Sequence, residues 1–572
     1  MCGIAGLLLN KPNEKLCSKV LKISKSLQHR GPDASSSFQD QKNLLIHTRL
    51  SIIDIRGGNQ PLSNKNIVLV ANGEIYNDPE IRVRLEKYKF KTNSDSETIT
   101  ALYYEEGIEG LKKLRGMYAF ALYDKKKNLT ILSRDVFGIK PLYFSKIKEG
   151  IVFSSEIRPL ISLNLIGKDI SNSKLLEYLE LQYCSGKGTI YKNIQRITPG
   201  ELLVIEDGNI SNSILQKFPE KKVFKKTINE SFVETKLKES VSVHLRSDVP
   251  YCLFFSGGID SMLIMYLMSR LDLRKITSYK INIKGKSLRN DLLKKISSGF
   301  NVEFNEINFD EKDFWNLIPF AAKNIDEPIA DYAILPTFKL AKEASKDFKV
   351  AITGEGGDEL FGGYGRYKTR ILKNRTYFKP AFKRFKNFSK DHWKFENSIE
   401  IVENLDLTEL QKNQYFDYIN WLPNNLLVKL DRCLMSYGME GRTPLIDKKL
   451  FESFFYIHDS SKINKGHGKF LIRSFLKNKI QCYNSFHKKE GFSVPINDWI
   501  PKKSKILEEL LPRVDFLNYF FTKDEIIKLC RSVSYSKKNI RALWHLIFIS
   551  AWYSVSFKNK KIDGDFFDLI SN

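Results

Sequence analysis

Cysteine is scarce and unpatterned in this 572-residue sequence. There are 7, an odd number, and no two are spaced as Cys-x-x-Cys. This argues against a disulfide framework and against a zinc ribbon, and it points to a reducing, cytoplasmic setting. The 8 His residues are scattered and form no metal-ligand pattern. No run reaches the roughly 20 uninterrupted apolar residues that a membrane helix needs. The nearest, Ala542 to Phe557, contains His545 and several Ser residues and reads as a buried core helix. The apolar run Ile4 to Leu9 has no basic segment before it, so it does not read as a secretory signal. Acidic residues are outnumbered: 92 Lys+Arg against 66 Asp+Glu give a net charge of +26. One reading is a nucleic-acid or anionic-membrane partner. The other is a compositional habit, because Lys is spread along the whole chain and no arginine-rich arm or dense basic block occurs. The habit is the reading favoured here, helped by anionic small-molecule substrates; no nucleic-acid partner is expected.

With 42% hydrophobic and 28% charged residues, the composition is that of a globular protein, and the length calls for more than one core. The first 200 or so residues read as short strands, among them Leu44 to Arg49, Ile67 to Asn72, Ala119 to Asp124, Leu129 to Ser133 and Leu142 to Ser145. Helical patterns near Leu16 to Leu27 and Ser96 to Tyr104 interrupt them. This predicts a layered α+β domain on antiparallel sheets over 2–205. The polar stretch 206–228 reads as a linker. From 229 to 560 strands alternate with helices, beginning with Tyr251 to Phe255 and Ser261 to Leu271, which predicts a doubly wound parallel sheet with added helices.

The chain opens Met1-Cys2-Gly3-Ile4. Removal of Met1 would leave Cys2 with a free α-amine of pKa near 8. One residue would then supply both a thiol nucleophile and its general base. A Cys in second position also arises by chance, so the rest of the chain has to decide. Arg30-Gly31-Pro32-Asp33, His47-Thr48-Arg49-Leu50-Ser51-Ile52, Asn72-Gly73-Glu74-Ile75-Tyr76-Asn77 and Ser94-Asp95-Ser96-Glu97 follow in order, then Ser133-Arg134-Asp135, Gly138 to Tyr143 and Phe153 to Glu156. With Cys2, these resemble the glutamine amidotransferase domain of the N-terminal nucleophile type, with the αββα architecture that implies. The resemblance implies that Arg49 holds the glutamine α-carboxylate, that Glu74 and Asp95 hold its α-ammonium, and that Asn72 and Gly73 form the oxyanion hole. Taken singly, Arg49 could be a surface ion pair and Asn72-Gly73 a hairpin turn.

A second site follows the strand Tyr251 to Phe255. Ser256-Gly257-Gly258-Ile259-Asp260-Ser261 is a tight turn opening a helix, where backbone N–H groups and the helix dipole favour phosphate. No Gly-Lys-Ser/Thr follows, so it is not a Walker loop; it resembles the loop of ATP pyrophosphatases. Thr353-Gly354-Glu355-Gly356-Gly357-Asp358-Glu359 also follows a strand, which would bring both loops to the carboxyl edge of one sheet. Asp260 and Asp358 are the candidate Mg²⁺ ligands shared with ATP phosphates.

Together the two halves resemble glutamine-hydrolysing asparagine synthetases. Asp326 to Asp331, Lys429-Leu430-Asp431-Arg432, Met439 to Asp447 and Lys488 to Phe492 match further motifs of that family. The resemblance implies ATP and Mg²⁺ as cofactors, adenylation of a carboxylate and capture of the acyl-adenylate by ammonia. It places Lys489 at the acyl-phosphate centre, and Glu355 and Glu440 near the adenylate. Ser256, Gly257, Gly258, Asp260, Ser261, Gly354 and Glu355 would bind ATP. The chain departs from the family pattern at Met262, at the basic run Lys284 to Arg289, at Asn305-Glu306-Ile307 and at Gly441. The default acceptor is aspartate; the alternatives are a sugar acid of a surface polysaccharide or, in a different class, an RNA-modifying role. A homodimer is the assembly to test.

Overall fold

A computed structural model describes residues 2–216, 218, 228–272, 274–283, 290–368, 398–487 and 494–571. The N-terminal half is built on two six-stranded antiparallel sheets. One runs Gln195–Arg196, Tyr143–Ile147, Gly150–Ser154, Cys2–Leu9, Asn43–Arg49 and Ala34–Gln39. The other runs Asn209–Leu215, Glu201–Glu206, Leu129–Arg134, Gly116–Asp124, Ile67–Ile75 and Leu62–Asn64. Period-2 alternation sorts their side chains. Ile4, Leu8, Leu45, Val68, Val70, Ala119 and Ala121 fill the space between the sheets. Leu69, Ala71, Tyr118 and Phe120 face outward onto the helix Glu97–Leu111 through Ile99 and Leu102. The layers are those expected, with one correction. Asn209–Leu215 lies inside the stretch read as linker, yet it pairs with Glu201–Glu206. Its Asn- and Ser-rich sequence belongs to an exposed edge strand, whose outward side chains need not be apolar.

The C-terminal half holds a five-stranded parallel sheet in the order Val302–Phe309, Ile276–Ile283, Tyr251–Phe254, Val350–Ile352 and Glu440–Arg442. Its first strand in sequence lies in the middle, so the winding direction reverses between Tyr251–Phe254 and Val350–Ile352. That reversal opens a crevice at the carboxyl ends of these two strands, the place where such sheets bind ligands. Sequence pattern missed the three-residue edge strand Glu440–Arg442, too short to show a period. Met262 is fully buried in the helix Ile259–Leu271, so this departure from the family pattern lies in the core and not on a ligand wall. At Gly441 a Cβ would sit 3.0 Å from Leu430 Cγ, so the smaller residue relieves a crowded contact. The run 284–289 lies outside the described residues. Ala542 to Trp552 are buried in the helix Lys537–Trp552, as expected. Among the described residues no helix is long and apolar enough to cross a membrane.

Candidate active sites

Antiparallel pairing of Cys2–Leu9 with Asn43–Arg49 sets Cys2 opposite Arg49. The neighbouring layer brings Asn72, whose Oδ1 accepts the Cys2 backbone N–H at 3.0 Å. This contact fixes the amide's orientation and turns Nδ2 inward, where it is buried with no hydrogen-bond partner among the described residues. Gly73 supplies a second donor by strand parity. The Ala71 N–H goes to Gln60 Oε1 and the Ile75 N–H to Asp95 Oδ2, both off the sheet. Gly73 lies between them, so its N–H points to that same free edge. A side chain there is excluded, because φ is 154° and a Cβ would lie 2.0 Å from the Met117 carbonyl oxygen.

Around this pair the charges are buried. The Arg49 guanidinium is held by the Ile55 and Asp54 carbonyls at 3.0 and 2.6 Å and by Asn59 Oδ1 at 2.8 Å. Burial pushes the Asp95 carboxyl up to about 6, against the Ile75 N–H. Burial also raises Glu74, opposed by Arg442 of the other domain, with which it forms an ion pair. Burial raises the Cys2 thiol, against the pull of the amino terminus and the Leu50 N–H. The thiol therefore rests protonated and needs a base.

Sequence reasoning quoted Arg30 in a motif without giving it a role. It is fully buried. Its Nε donates to the Cys2 carbonyl at 3.2 Å, and its fork grips Asp431 at 2.8 and 3.0 Å and Glu156 at 2.9 Å. Arg432 continues the lattice to Asp431 at 2.8 Å and Asp326 at 2.9 Å. These bidentate, charge-assisted contacts fix the two domains against each other. The motif residues from 133 to 140 are structural: the Asp135 carboxylate accepts the N–H groups of Tyr118, Phe137, Ile139 and Lys140.

In the crevice of the parallel sheet the two loops touch. A Cβ on Gly357 would lie 2.3 Å from Asp260 Oδ1, and one on Gly354 would lie 3.1 Å from the Ser261 nitrogen. The turn is held by Ser261 Oγ donating to the Gly258 carbonyl at 3.0 Å, with Ser256 Oγ 3.2 Å from Ser261 Oγ. Gly257 takes φ 76°, which a side chain would resist. Asp260 and Asp358 converge on Lys469 Nζ, at 2.5 and 2.8 Å. Sequence reasoning missed Lys469: it lies some 110 residues beyond the second loop by subtraction of 358 from 469, in no recognised pattern. It is buried, and the two carboxylates raise its pKa against burial.

Lys469 shows that the two Asp carboxylates share one cation-sized focus. Among the described residues no group of three His, Cys, Asp or Glu could hold a metal. Two carboxylates fit Mg²⁺ only in the manner usual for nucleotide sites, with phosphates and water completing the shell. Burial raises Glu355, and Lys429 opposes it; Lys429 is itself bound to Asp331 at 2.9 Å. Glu440 lies elsewhere than expected. Its carboxylate takes Arg442 Nε at 2.6 Å. Burial would raise it, but the amino terminus, Arg442 and Lys140 hold it down to about 2. The edge strand thus delivers Glu440 to the glutaminase side of the seam rather than to the adenylate. Lys489 lies outside the described residues.

Comparison with known proteins agrees with this two-part layout. A glutamine amidotransferase domain model matches residues 1–218, and an asparagine synthase model matches 233–554. The chain is 28% identical to the glutamine-hydrolysing asparagine synthetase 1 of Bacillus subtilis, over 98% of each chain. It is 27% identical to asparagine synthetase B of Escherichia coli, over 87% of this chain and 83% of the relative. It is 33% identical to a putative asparagine synthetase of Methanocaldococcus jannaschii, over 64% of this chain and 76% of that one.

Proposed function

The chain belongs to the asparagine synthase family, and from that premise we propose that it is a glutamine-dependent asparagine synthetase using ATP. The observation that carries the reading is the buried helix Leu427–Met435. Its Asp431 grips the arginine bound to the Cys2 carbonyl, and its Lys429 stands beside Glu355 and Asp331 of the other site. One helix therefore borders both chemistries, as transfer of ammonia between them requires.

At the first site, with Met1 removed, the α-amine of Cys2 takes the thiol proton as sulfur attacks the side-chain carbonyl of glutamine. The developing oxyanion is received by Asn72 Nδ2 and the Gly73 N–H. The amine returns the proton to nitrogen, ammonia leaves, and water hydrolyses the thioester to glutamate. Arg49 lies beside Cys2 for the α-carboxylate, and Asp95 with Glu74 for the α-ammonium.

At the second site, a carboxylate oxygen of the acceptor displaces pyrophosphate from the α-phosphorus of ATP. Ammonia then attacks the acyl carbon, and AMP leaves. Glu355, its carboxyl raised by burial, suits receipt of a proton from the attacking nitrogen. Asp260 and Asp358 are the proposed Mg²⁺ ligands, and the bound ion would neutralise phosphate charge. Lys489 is assigned to the acyl-phosphate centre by family resemblance. The RNA-modifying alternative loses support because Cys252, the thiol nearest the loop in sequence, is fully buried in its strand.

The test is pyrophosphate and AMP release with L-aspartate against uronic acids, at matched Mg²⁺-ATP. Saturable release with aspartate, forming asparagine, is expected. Background release with aspartate and turnover with a uronic acid, in enzyme whose glutaminase works, would assign a sugar-acid acceptor instead. ADP and phosphate as products would refute the adenylate route.

A further inference from the structure

A cavity of about 550 Å³ opens at the seam between the two domains, and neither Cys2 nor Asp260 lines it. Its glutaminase-side wall is the helix Ile157–Ser162 with Lys168 and Tyr191. Its other wall is Lys323, Asp326 and the segment 555–563. Five of its fifteen lining residues are cations: Arg158, Lys168, Lys323, Lys560 and Lys561. That is one third, against 92 in 572, or about one sixth, for the whole chain. A Lys-rich habit spread evenly would not give this concentration.

Among the described residues none of the five forms an ion pair with a carboxylate. Arg158 donates to the Lys323 carbonyl, and Lys560 Nζ to the Leu569 carbonyl at 3.5 Å. The two acidic lining residues do little to offset them. Asp326 is buried and committed to Arg432 at 2.9 Å and to the Ile157 N–H. Asp563 is exposed. Five cations less one uncommitted carboxylate leave an excess of four. A concave site lined by one sign of charge focuses its field on a ligand. The volume lies in the range of small-molecule sites.

The remaining lining mixes Ile157, Ile161, Val555, Ile562 and the ring of Tyr191 with the polar Ser162, Ser556 and Asn559. Inorganic phosphate alone would leave this surface unused. A ligand with a polyphosphate at one end and a flat, weakly polar ring system at the other uses both. We propose that this seam cavity is a nucleotide site, separate from the ATP loop, taking a nucleoside di- or triphosphate with its phosphates on Lys323, Lys560, Lys561 and Arg158 and its base against Tyr191 and Ile562. Because one wall comes from each domain, the ligand would bridge them.

The test is equilibrium titration of the full chain with GTP, and separately with inorganic tripolyphosphate. Lys323→Glu with Lys561→Glu reverses two exposed charges, and its glutaminase activity serves as the check of folding. Asp358→Asn reports on the ATP loop. One saturable GTP per chain is expected, weakened at least tenfold in the charge-reversed variant and changed less than twofold by Asp358→Asn. Tripolyphosphate should bind at least tenfold more weakly than GTP. Absence of saturable GTP binding, indifference to charge reversal, or loss through Asp358→Asn would overturn the proposal. Tripolyphosphate binding as tightly as GTP would overturn the nucleoside part and leave a polyphosphate site.

Discussion

The two active centres differ in what they leave unsatisfied. The Cys2 centre keeps a buried amide donor, Asn72 Nδ2, without a partner, and beside it an N–H on a free strand edge. The ATP centre instead holds two carboxylates, Asp260 and Asp358, on the one cation Lys469. The difference follows from the charge of what arrives. The glutamine side-chain amide is neutral and becomes an oxyanion only in the transition state, so donors left open are stronger there than in the ground state. ATP is an anion before it binds, and two bare carboxylates would repel it. An internal ammonium lies between them instead. The first centre hangs on the strands Cys2–Leu9, Asn43–Arg49 and Ile67–Ile75; the second takes Asp260 and Asp358 from the first turns of the helices Ile259–Leu271 and Gly357–Phe361.

The sharpest way to separate the two centres is Cys2→Ala. Glutamine hydrolysis should fall by at least about 10³-fold, since a nucleophile and its base disappear together. Synthesis from added ammonia should stay within about threefold, measured as AMP release. Loss of both activities in a folded variant would contradict separable centres. Intact mass of active enzyme should show removal of Met1 alone. The converse break is Asp260→Asn or Asp358→Asn. Each should lower synthetase kcat on the order of 10³-fold, the scale of several kcal/mol of charge stabilisation. Glutaminase should change less than twofold. An equal fall in both activities would place these carboxylates in the fold and not in nucleotide binding.

Legibility in the sequence followed the same division. Arg49 and Asn72 lie in stretches read as strands, and with Cys2 and Gly73 they were readable through motifs that resemble a known family; the structure gathers them. Arg30 and Asp431 were visible as motif letters only. Their bond spans 401 residues of sequence, and no local pattern encodes a partner that distant. Lys469 gave no signal, because it stands at the left-handed residue before a helix and owes its place to tertiary packing. Glu440 was placed near the adenylate by family resemblance; its contact with Arg442 and its nearness to Lys140 come from tertiary packing, which no local pattern encodes. Asn209–Leu215 was read as linker because an exposed edge strand can afford polar residues.

Asn72→Ala tests whether the open donor is used in the transition state. Glutaminase kcat should fall about 10²- to 10³-fold, the cost of one oxyanion donor, with KM for glutamine moving less than threefold. A rise in KM at unchanged kcat would instead make Asn72 a ground-state contact. Steady-state kinetics on glutamine decides between them, with ammonia-dependent synthesis as the control for folding.

The smallest expected effect is a pH limb, and it probes the buried charge that the Cys2 centre does leave exposed to a ligand. In its proposed role Asp95 must be anionic to hold the glutamine α-ammonium, and burial lifts its carboxyl to about 6 from an ordinary 3.8. As pH falls through 6 the free enzyme loses that anion, so kcat/KM for glutamine, already falling as the Cys2 α-amine is protonated, should steepen by up to a further tenfold per pH unit. The kcat at saturating glutamine should change less, because a bound ammonium holds the carboxylate ionised. Stability has the opposite sign. A folded-state pKa above the unfolded one means that ionised Asp95 disfavours the fold, most fully above pH 6, and that the penalty disappears as pH falls below about 4. Asp95→Asn should therefore lose the steepening below pH 6, keep the limb set by the Cys2 α-amine, and bind glutamine more weakly. At pH 7.5 it should gain stability, by up to about 3 kcal/mol for two pKa units. Denaturant melts at pH 7.5 and pH 4.5 check the second part: the gain should shrink at the lower pH. A steepening near pH 6 that persists in Asp95→Asn would move the titration to another carboxyl, with Glu74 the first to test, since burial raises it as well.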